Sequence, residues 1–328
     1  MRAWLVETLG DPKDALRLRD VPEPMPGPGT VRVRVEAAAL NFFDILLCQG
    51  RYQERPPLPF TPGAEVAGTV EAVGPDVGDW PRAGDRVVAR PQLPHGGLAE
   101  QVVVPASAVY PIPPTMPAEE AAAAFITYQT AYYALRERIG LRAGETVLVH
   151  AGAGGVGSAA IQLARAAGAR VVATAGGPEK VAVARRMGAE EVVDYLAEDF
   201  GSRVQAWTGG RGVDVVVDPV GGDVFDRSRR IVAFGGRILV IGFASGRIPE
   251  IPANHVLLKN YAVVGVHWGL FERRDPEGVR RIHDRLTTLY QEGAIRPLIG
   301  ARYPLEEVVE ALEALYSRRT VGKVVVAP

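Results

Sequence analysis

The sequence predicts an α/β protein in which a small twisted β domain precedes a doubly wound parallel sheet of six strands. Three observations carry this expectation. Apolar runs and helical stretches alternate from Glu145 to Val266, the rhythm of strand–helix–strand units with right-handed crossovers. Several of those runs (Val215–Asp218, Ile238–Gly242, Ala262–Val266) are apolar on both faces, as parallel strands covered on both sides are. The first 120 residues instead carry short β-rich runs interrupted by Gly and Pro.

In that first part the runs are Thr30–Ala38, Glu65–Val73, Asp85–Ala89 and Leu98–Val104. Prolines at 22, 24, 26 and 28, and again at 56, 57, 59 and 62, mark turns and strand ends, because proline removes a ladder donor. This composition predicts a largely antiparallel sheet. Pro111, Pro113, Pro114 and Pro117 punctuate a boundary, and Ala121–Arg138 is helical in composition. The six sheet strands are read at Thr146–His150, Arg170–Ala175, Glu191–Asp194, Val213–Asp218, Arg237–Ile241 and Tyr261–Val266, with helices from Val156 and from Pro178. Helices at Pro276–Glu292 and Leu305–Ser317 and a strand at Lys323–Val326 close the chain. The expected division is 121–267 for the doubly wound domain, and 1–120 plus 268–328 for the other.

The chain has 328 residues, enough for two cores. A net charge of −1 supplies no global field for nucleic acid or an anionic membrane. The single cysteine, Cys48, rules out an internal disulfide framework and a Cys-rich metal site. That usage fits a reducing, cytoplasmic location. The N-terminal stretch lacks a signal-peptide pattern, and no apolar window is long enough to span a bilayer.

The chemistry-bearing segment is Gly152-x-Gly154-x-x-Gly157. It follows the apolar run 146–150, opens the helix from Val156, and is followed by the next strand at 170–175, the βαβ setting a dinucleotide requires. Gly152 is expected to permit a tight turn, Gly154 to let backbone approach a pyrophosphate, and Gly157 to let the helix sit close to the sheet. With Ala153, Gly155 and Val156 these residues would present unpaired N–H groups of a helix N-terminus to phosphate. At the end of the second strand, where NAD enzymes carry an acid for the ribose 2′-OH, the chain reads Ala173-Thr174-Ala175-Gly176-Gly177. No acid stands there, and Lys180 can meet a 2′-phosphate as a point charge. NADPH is therefore expected over NADH, with Thr174 and Gly176 lining the adenosine end.

These features together resemble the medium-chain dehydrogenase/reductase superfamily, and within it the zinc-free quinone oxidoreductase (zeta-crystallin-like) branch. The resemblance rests on AAALNFFDILLCQGRY (37–52), PFTPGAEVAGTVEAVGPDVGDWPRAGDRVVA (59–89), AGAGGVG (151–157), GVDVVVDPVGG (212–222) and SRRTVGKVVV (317–326). It implies a GroES-like β domain beside the Rossmann sheet. Zinc alcohol dehydrogenases of the superfamily place a Cys where this chain has Asn41, and Gly-His-Glu where it has Gly63-Ala64-Glu65. Since catalytic zinc needs three protein ligands, no metal is expected.

The resemblance implies roles for Asn41, Asp44 and Tyr52 near the substrate, and for Thr127 near the nicotinamide. It implies Lys180, Tyr195 and Arg318 at the 2′-phosphate, and Gly242 and Phe243 along the nicotinamide ribose. Leu46 departs from a second tyrosine found in some members. Plainer alternatives stand beside these roles. Asn41 fixes a turn, Asp44 caps a helix before Ile45, Tyr52 and Thr127 pack, Tyr195 packs on a strand, and Lys180 and Arg318 are solvated charges. His150 reads as structural.

The expected activity is NADPH-dependent reduction of a quinone or an α,β-unsaturated carbonyl, with the cofactor carrying the difficult step. Hydrogen bonds from Asn41, Tyr52 or water would replace a metal in polarising the acceptor. An enone or enoyl-thioester reductase of the same fold, and a non-catalytic RNA-binding protein, are the alternatives; no basic stripe favours the latter. The apolar strand Tyr261–Val266, at a sheet edge, predicts a homodimer.

Overall fold

A computed structural model describes residues Met1–Pro328. The chain divides into two compact units, Met1–Ile126 with Pro297–Pro328, and Thr127–Arg296.

The first unit is built on strand Thr30–Ala39. Its β-branched Val31, Val33 and Val35 alternate inward with Arg32, Arg34 and Glu36, the period-2 pattern of a half-buried strand. It pairs antiparallel with Val66–Val73, Gln101–Pro105 and Lys323–Ala327. The sheet order is Ile299–Pro304, Lys323–Ala327, Thr30–Ala39, Val66–Val73, Arg86–Ala89, Val109–Pro111, with only the first pair parallel. Register shifts at Arg32/Val33 and Val35/Ala37 bend the central strand, and bulges of this kind add twist. Gly68 lies opposite that bend, where a Cβ would sit 1.9 Å from Arg34 O. A hairpin of Arg2–Val6 and Leu16–Asp20 precedes the sheet. Val31, Val33, Leu40, Phe60, Val66, Leu98, Leu312 and Val324 share one core, to which helix Val308–Tyr316 contributes Val308, Ala311 and Leu312 at helical spacing.

The second unit is the predicted doubly wound sheet. Its six parallel strands lie in the order Glu191–Asp194, Arg170–Ala175, Thr146–Val149, Val213–Asp218, Val232–Val240, Ala262–Gly265. Counted along the chain this is 3-2-1-4-5-6, the dinucleotide-binding order. Leu148, Val172, Val193, Val216 and Ile238 are all at 0% exposure and form the centre of its core.

The division differs from the expected one. The crossings fall at Ile126/Thr127, inside helix Ala118–Tyr132, and at Arg296/Pro297. Residues 268–296 belong to the dinucleotide unit because their helices pack there. Tyr133 stacks on Phe271 at 4.2 Å, and Gln129 Nε2 donates to Val279 O. Gln162 clamps the last residue of the unit, accepting from Arg296 N at 2.6 Å and donating to Arg296 O at 3.0 Å. The helix expected to run to Arg138 ends at Tyr132 and continues as a π-helical turn, Tyr133–Arg138. The fifth sheet strand starts five residues earlier than read, because Gly235 and Gly236 interrupt its apolar pattern.

Candidate active site

In the dinucleotide unit, strand Thr146–Val149 turns through 150–154 into helix Gly155–Ala166. The left-handed residue in this turn is Ala151 (φ 52°), not Gly152. Gly152 is required for space: a Cβ there would meet Ala173 Cβ at 2.9 Å and Ile161 Cδ1 at 3.1 Å. A Cβ on Gly157 would fall 2.1 Å from Ala151 O, so the helix approaches the turn as closely as backbone allows. Gly154, by contrast, would meet only Ala151 O, at 3.3 Å. That open cradle above a helix N-terminus fits a pyrophosphate. Ala153, Gly155 and Val156 complete the turn.

At the tip of the second strand, Tyr195 covers Gly176: a Cβ on Gly176 would sit 2.6 Å from the tyrosine Oη. Asp194 Oδ1 accepts from Gly177 N at 2.9 Å and Leu196 N at 3.1 Å. One oxygen of the nearby acid is thus engaged by backbone. Lys180 lies in the first turn of helix Pro178–Met187, with Glu179 beside it. Thr174 points inward, and its Oγ1 bonds His150 Nδ1 at 2.9 Å while His150 Nε2 meets Ser228 Oγ at 2.7 Å. Ser228 donates to Val224 O, so Nε2 carries the imidazole proton and Thr174 donates to Nδ1. Only the backbone of Thr174 can serve a cofactor. Burial pushes His150 down to about 3, so the ring is neutral.

Gly242 and Phe243 follow the fifth strand. Phe243 packs over Gly221, where a Cβ would meet its Cδ1 at 2.9 Å. Asp218 holds the facing turn by accepting from Val220 N and Gly221 N, and burial pushes its carboxyl up from the ordinary value. Thr127 is 3% exposed on its helix.

In the first unit, Asn41 is the N-cap of helix Phe42–Cys48 and Asp44 its third residue, the two forming a capping box; the alternative in which Asp44 itself caps a helix before Ile45 does not hold, because the helix begins three residues earlier. Asp44 is fully buried and accepts from Asn41 N at 2.8 Å and Gly63 N at 3.2 Å. Burial lifts its carboxyl to about 6 against those two hydrogen bonds. With 0% exposure it has no surface to offer a substrate, so its place is to hold the Asn41 backbone and the 63 turn. Asn41 Nδ2 donates to Glu65 Oε1 at 2.8 Å and to Ala39 O at 3.3 Å. Lys323 Nζ donates to Leu40 O, Asn41 Oδ1 and Glu65 Oε1, each at 2.7 Å. Glu65 Oε2 accepts from Ile126 N at 2.6 Å. Neither Glu65 nor Lys323 was singled out by sequence reasoning; the available signal was a charge at the head of each of two apolar strand runs. Tyr52 stacks on Phe43 at 5.4 Å, and Leu46 is half-buried. Arg318 adopts a left-handed φ of 56° after helix Val308–Tyr316.

These residues do not fit zinc. Asn41 and Ala64 supply neither thiolate nor imidazole, and Glu65 is taken by an ammonium and a backbone N–H. No three His, Cys, Asp or Glu side chains group as metal ligands.

An antiparallel β unit and a 3-2-1-4-5-6 sheet with a glycine cradle define the two-part dehydrogenase/reductase class. Residues 27–114 match the Alcohol dehydrogenase GroES-like domain family, and residues 155–284 the family described as Zinc-binding dehydrogenase. The chain is 40% identical over 302 residues to a quinone oxidoreductase-like protein 2 homolog of Nematostella vectensis, covering 92% of this chain and 82% of that one. A mycobacterial protein solved in complex with NADPH superposes with a TM-score of 0.91 at 37% identity over the full length of both chains. Escherichia coli quinone oxidoreductase, also solved with NADPH, gives a TM-score of 0.92 at 30% identity, again over both full lengths. The chain belongs to the quinone oxidoreductase branch of the medium-chain dehydrogenase/reductase superfamily, and it is an oxidoreductase.

Proposed function

We propose that the protein uses NADPH to reduce quinones or related conjugated carbonyl compounds without a metal. The observation that carries the reading is the pairing of an intact glycine cradle at Gly152–Gly157 with a former metal position filled by Asn41, Ala64 and a committed Glu65. When bound, NADPH supplies a hydride from the nicotinamide; a proton from solvent completes the two-electron reduction. The chain's own part is to bind, orient and shield. Backbone N–H groups of 153–157 hold the pyrophosphate. Lys180 and the Tyr195 hydroxyl would hold the 2′-phosphate. Phe243, Gly242 and Thr127 line the nicotinamide end. Tyr52 or an ordered water donates to the acceptor oxygen, and an acceptor whose charge spreads over a conjugated system needs no stronger electrophile.

Support for NADPH over NADH is the absence of an acid in Ala173–Gly177 at the second strand tip, together with the engagement of Asp194 Oδ1 by backbone. The single buried cysteine suits a reducing cytoplasm, and no helix is long and apolar enough to cross a membrane. A panel of quinones, enones and enoyl thioesters, run with NADPH and NADH, tests the reading. Turnover confined to enoyl thioesters would move the assignment to the alternative reductase.

A further inference from the structure

Lys323 is one of only four lysines among 37 basic residues, and it lies 5% exposed in the first unit's core. In a chain that otherwise uses arginine, a buried lysine marks a place where a compact ammonium is needed. Its three protons converge on Leu40 O, Asn41 Oδ1 and Glu65 Oε1, which the planar fork of a guanidinium cannot do. An ammonium faces only acceptors, and a carboxylate faces only donors. The Asn41 amide sits between the two, with Oδ1 on Lys323 and Nδ2 on Glu65. Turning the amide over would set NH2 against ammonium and oxygen against carboxylate. Its orientation is therefore dictated by its partners.

We infer that Lys323 and Glu65 are positioning residues that lock the Asn41 side-chain amide in one orientation, with both its N–H groups committed inside the unit. One N–H goes to Glu65 and the other to Ala39 O. Oδ1 in turn accepts from Lys323 and, in the capping box, from the Asp44 backbone, so the amide is held at both ends. Asn41 thus does not donate to the acceptor carbonyl, leaving that to Tyr52 or water. The pair acts where the metal of zinc relatives would act, but as an orienting device and not an electrophile. Glu65 carries the same lock to the end of the unit through Ile126 N.

The activity arm of this inference rests on the proposed quinone reduction; the orientation arm does not. The test compares the wild-type protein with Lys323→Met and with the double variant Glu65→Gln/Lys323→Met. Thermal melting is followed beside the side-chain ¹H–¹⁵N signals of Asn41, assigned by their loss in Asn41→Ser. In the wild type, those amide protons should exchange at least about tenfold more slowly than those of an exposed asparagine. Lys323→Met, which strands a buried carboxylate, should melt lower. The double variant removes the charge mismatch and should recover much of that loss, while its Asn41 signals shift and exchange faster. With NADPH and 1,4-naphthoquinone its kcat should stay about tenfold down while the KM for NADPH moves little, since lost orientation falls on turnover. Should the double variant not fold, Lys323→Arg keeps the charge and is expected to shift the same signals. Wild-type Asn41 protons that exchange freely, or signals and kcat that return to wild type together with stability, overturn the inference. If the wild-type protein reduces no quinone, the functional reading falls while the amide signals still decide the orientation claim.

Discussion

Asp44 and His150 are both buried, one in each unit, and burial moves their carboxyl and imidazole in opposite directions on the pH scale. His150, lowered from 6.5 to about 3, contributes stability that is present above pH 6.5 and is lost as pH falls through about 3. Asp44, raised from 3.8 to about 6, contributes stability present below pH 3.8 and lost as pH rises through about 6. His150→Leu should cost about 1–3 kcal/mol at neutral pH, because the Thr174 and Ser228 hydroxyls lose a partner. The gap to wild type should narrow as pH falls below 6.5, which denaturant melts at several pH values will measure. Lys180→Ala should raise the KM for NADPH about tenfold and leave that for NADH nearly unchanged, as the loss of one charge-assisted phosphate contact implies. Residue by residue, the sequence singled out Asn41 and Asp44, but it put the helix start at Ile45, and Asn41, not Asp44, is the cap. Glu65 and Lys323 lie 258 positions apart, and no periodicity reports such a meeting.

At the scale of elements, the glycine turn divides its work between space for the fold and space for a ligand. Gly157→Ala places a methyl against Ala151 O and should destabilise by about 1–3 kcal/mol, as overpacking of a rigid site does. Gly154→Val fills the open side of the cradle; it should fold with a near-native melting temperature and raise the KM for NADPH at least about tenfold, since a phosphate cannot approach past it. Thermal melts and steady-state kinetics on the pair separate the two roles. The turn was legible because glycine spacing and flanking strand and helix patterns agree. The left-handed conformation of Ala151 was not, since alanine carries no signal for it. Five of the six parallel strands were read to within a residue at each end because burial on both faces leaves unbroken apolar runs. The first hairpin was missed because strand Leu16–Asp20 buries little beyond Leu16.

At the scale of the whole molecule, strand Ala262–Gly265 lies at the edge of its sheet. Near it in sequence Leu257 and Leu258 are 74% and 78% exposed, and Phe234 is 82% exposed. Apolar side chains beside an open edge favour pairing with a second copy, which supports the homodimer proposed through this strand. Sedimentation should then give about twice the 35.1 kDa chain mass, and Leu258→Glu should shift it toward that of a single chain. The domain division was half legible: proline clusters announced the first boundary. The second lay at Arg296, where the assignment depends on Gln162 and Phe271 contacts that only a folded chain displays.

The central claim is that a nicotinamide cofactor reduces a conjugated carbonyl in a site without metal. The most direct measurement is NADPH oxidation by quinones before and after exhaustive chelation, with added zinc as the reverse arm. The account predicts quinone-dependent NADPH oxidation that is indifferent to both treatments. Activity lost on chelation and restored by zinc, or no oxidation of NADPH with any quinone or enone, would contradict it.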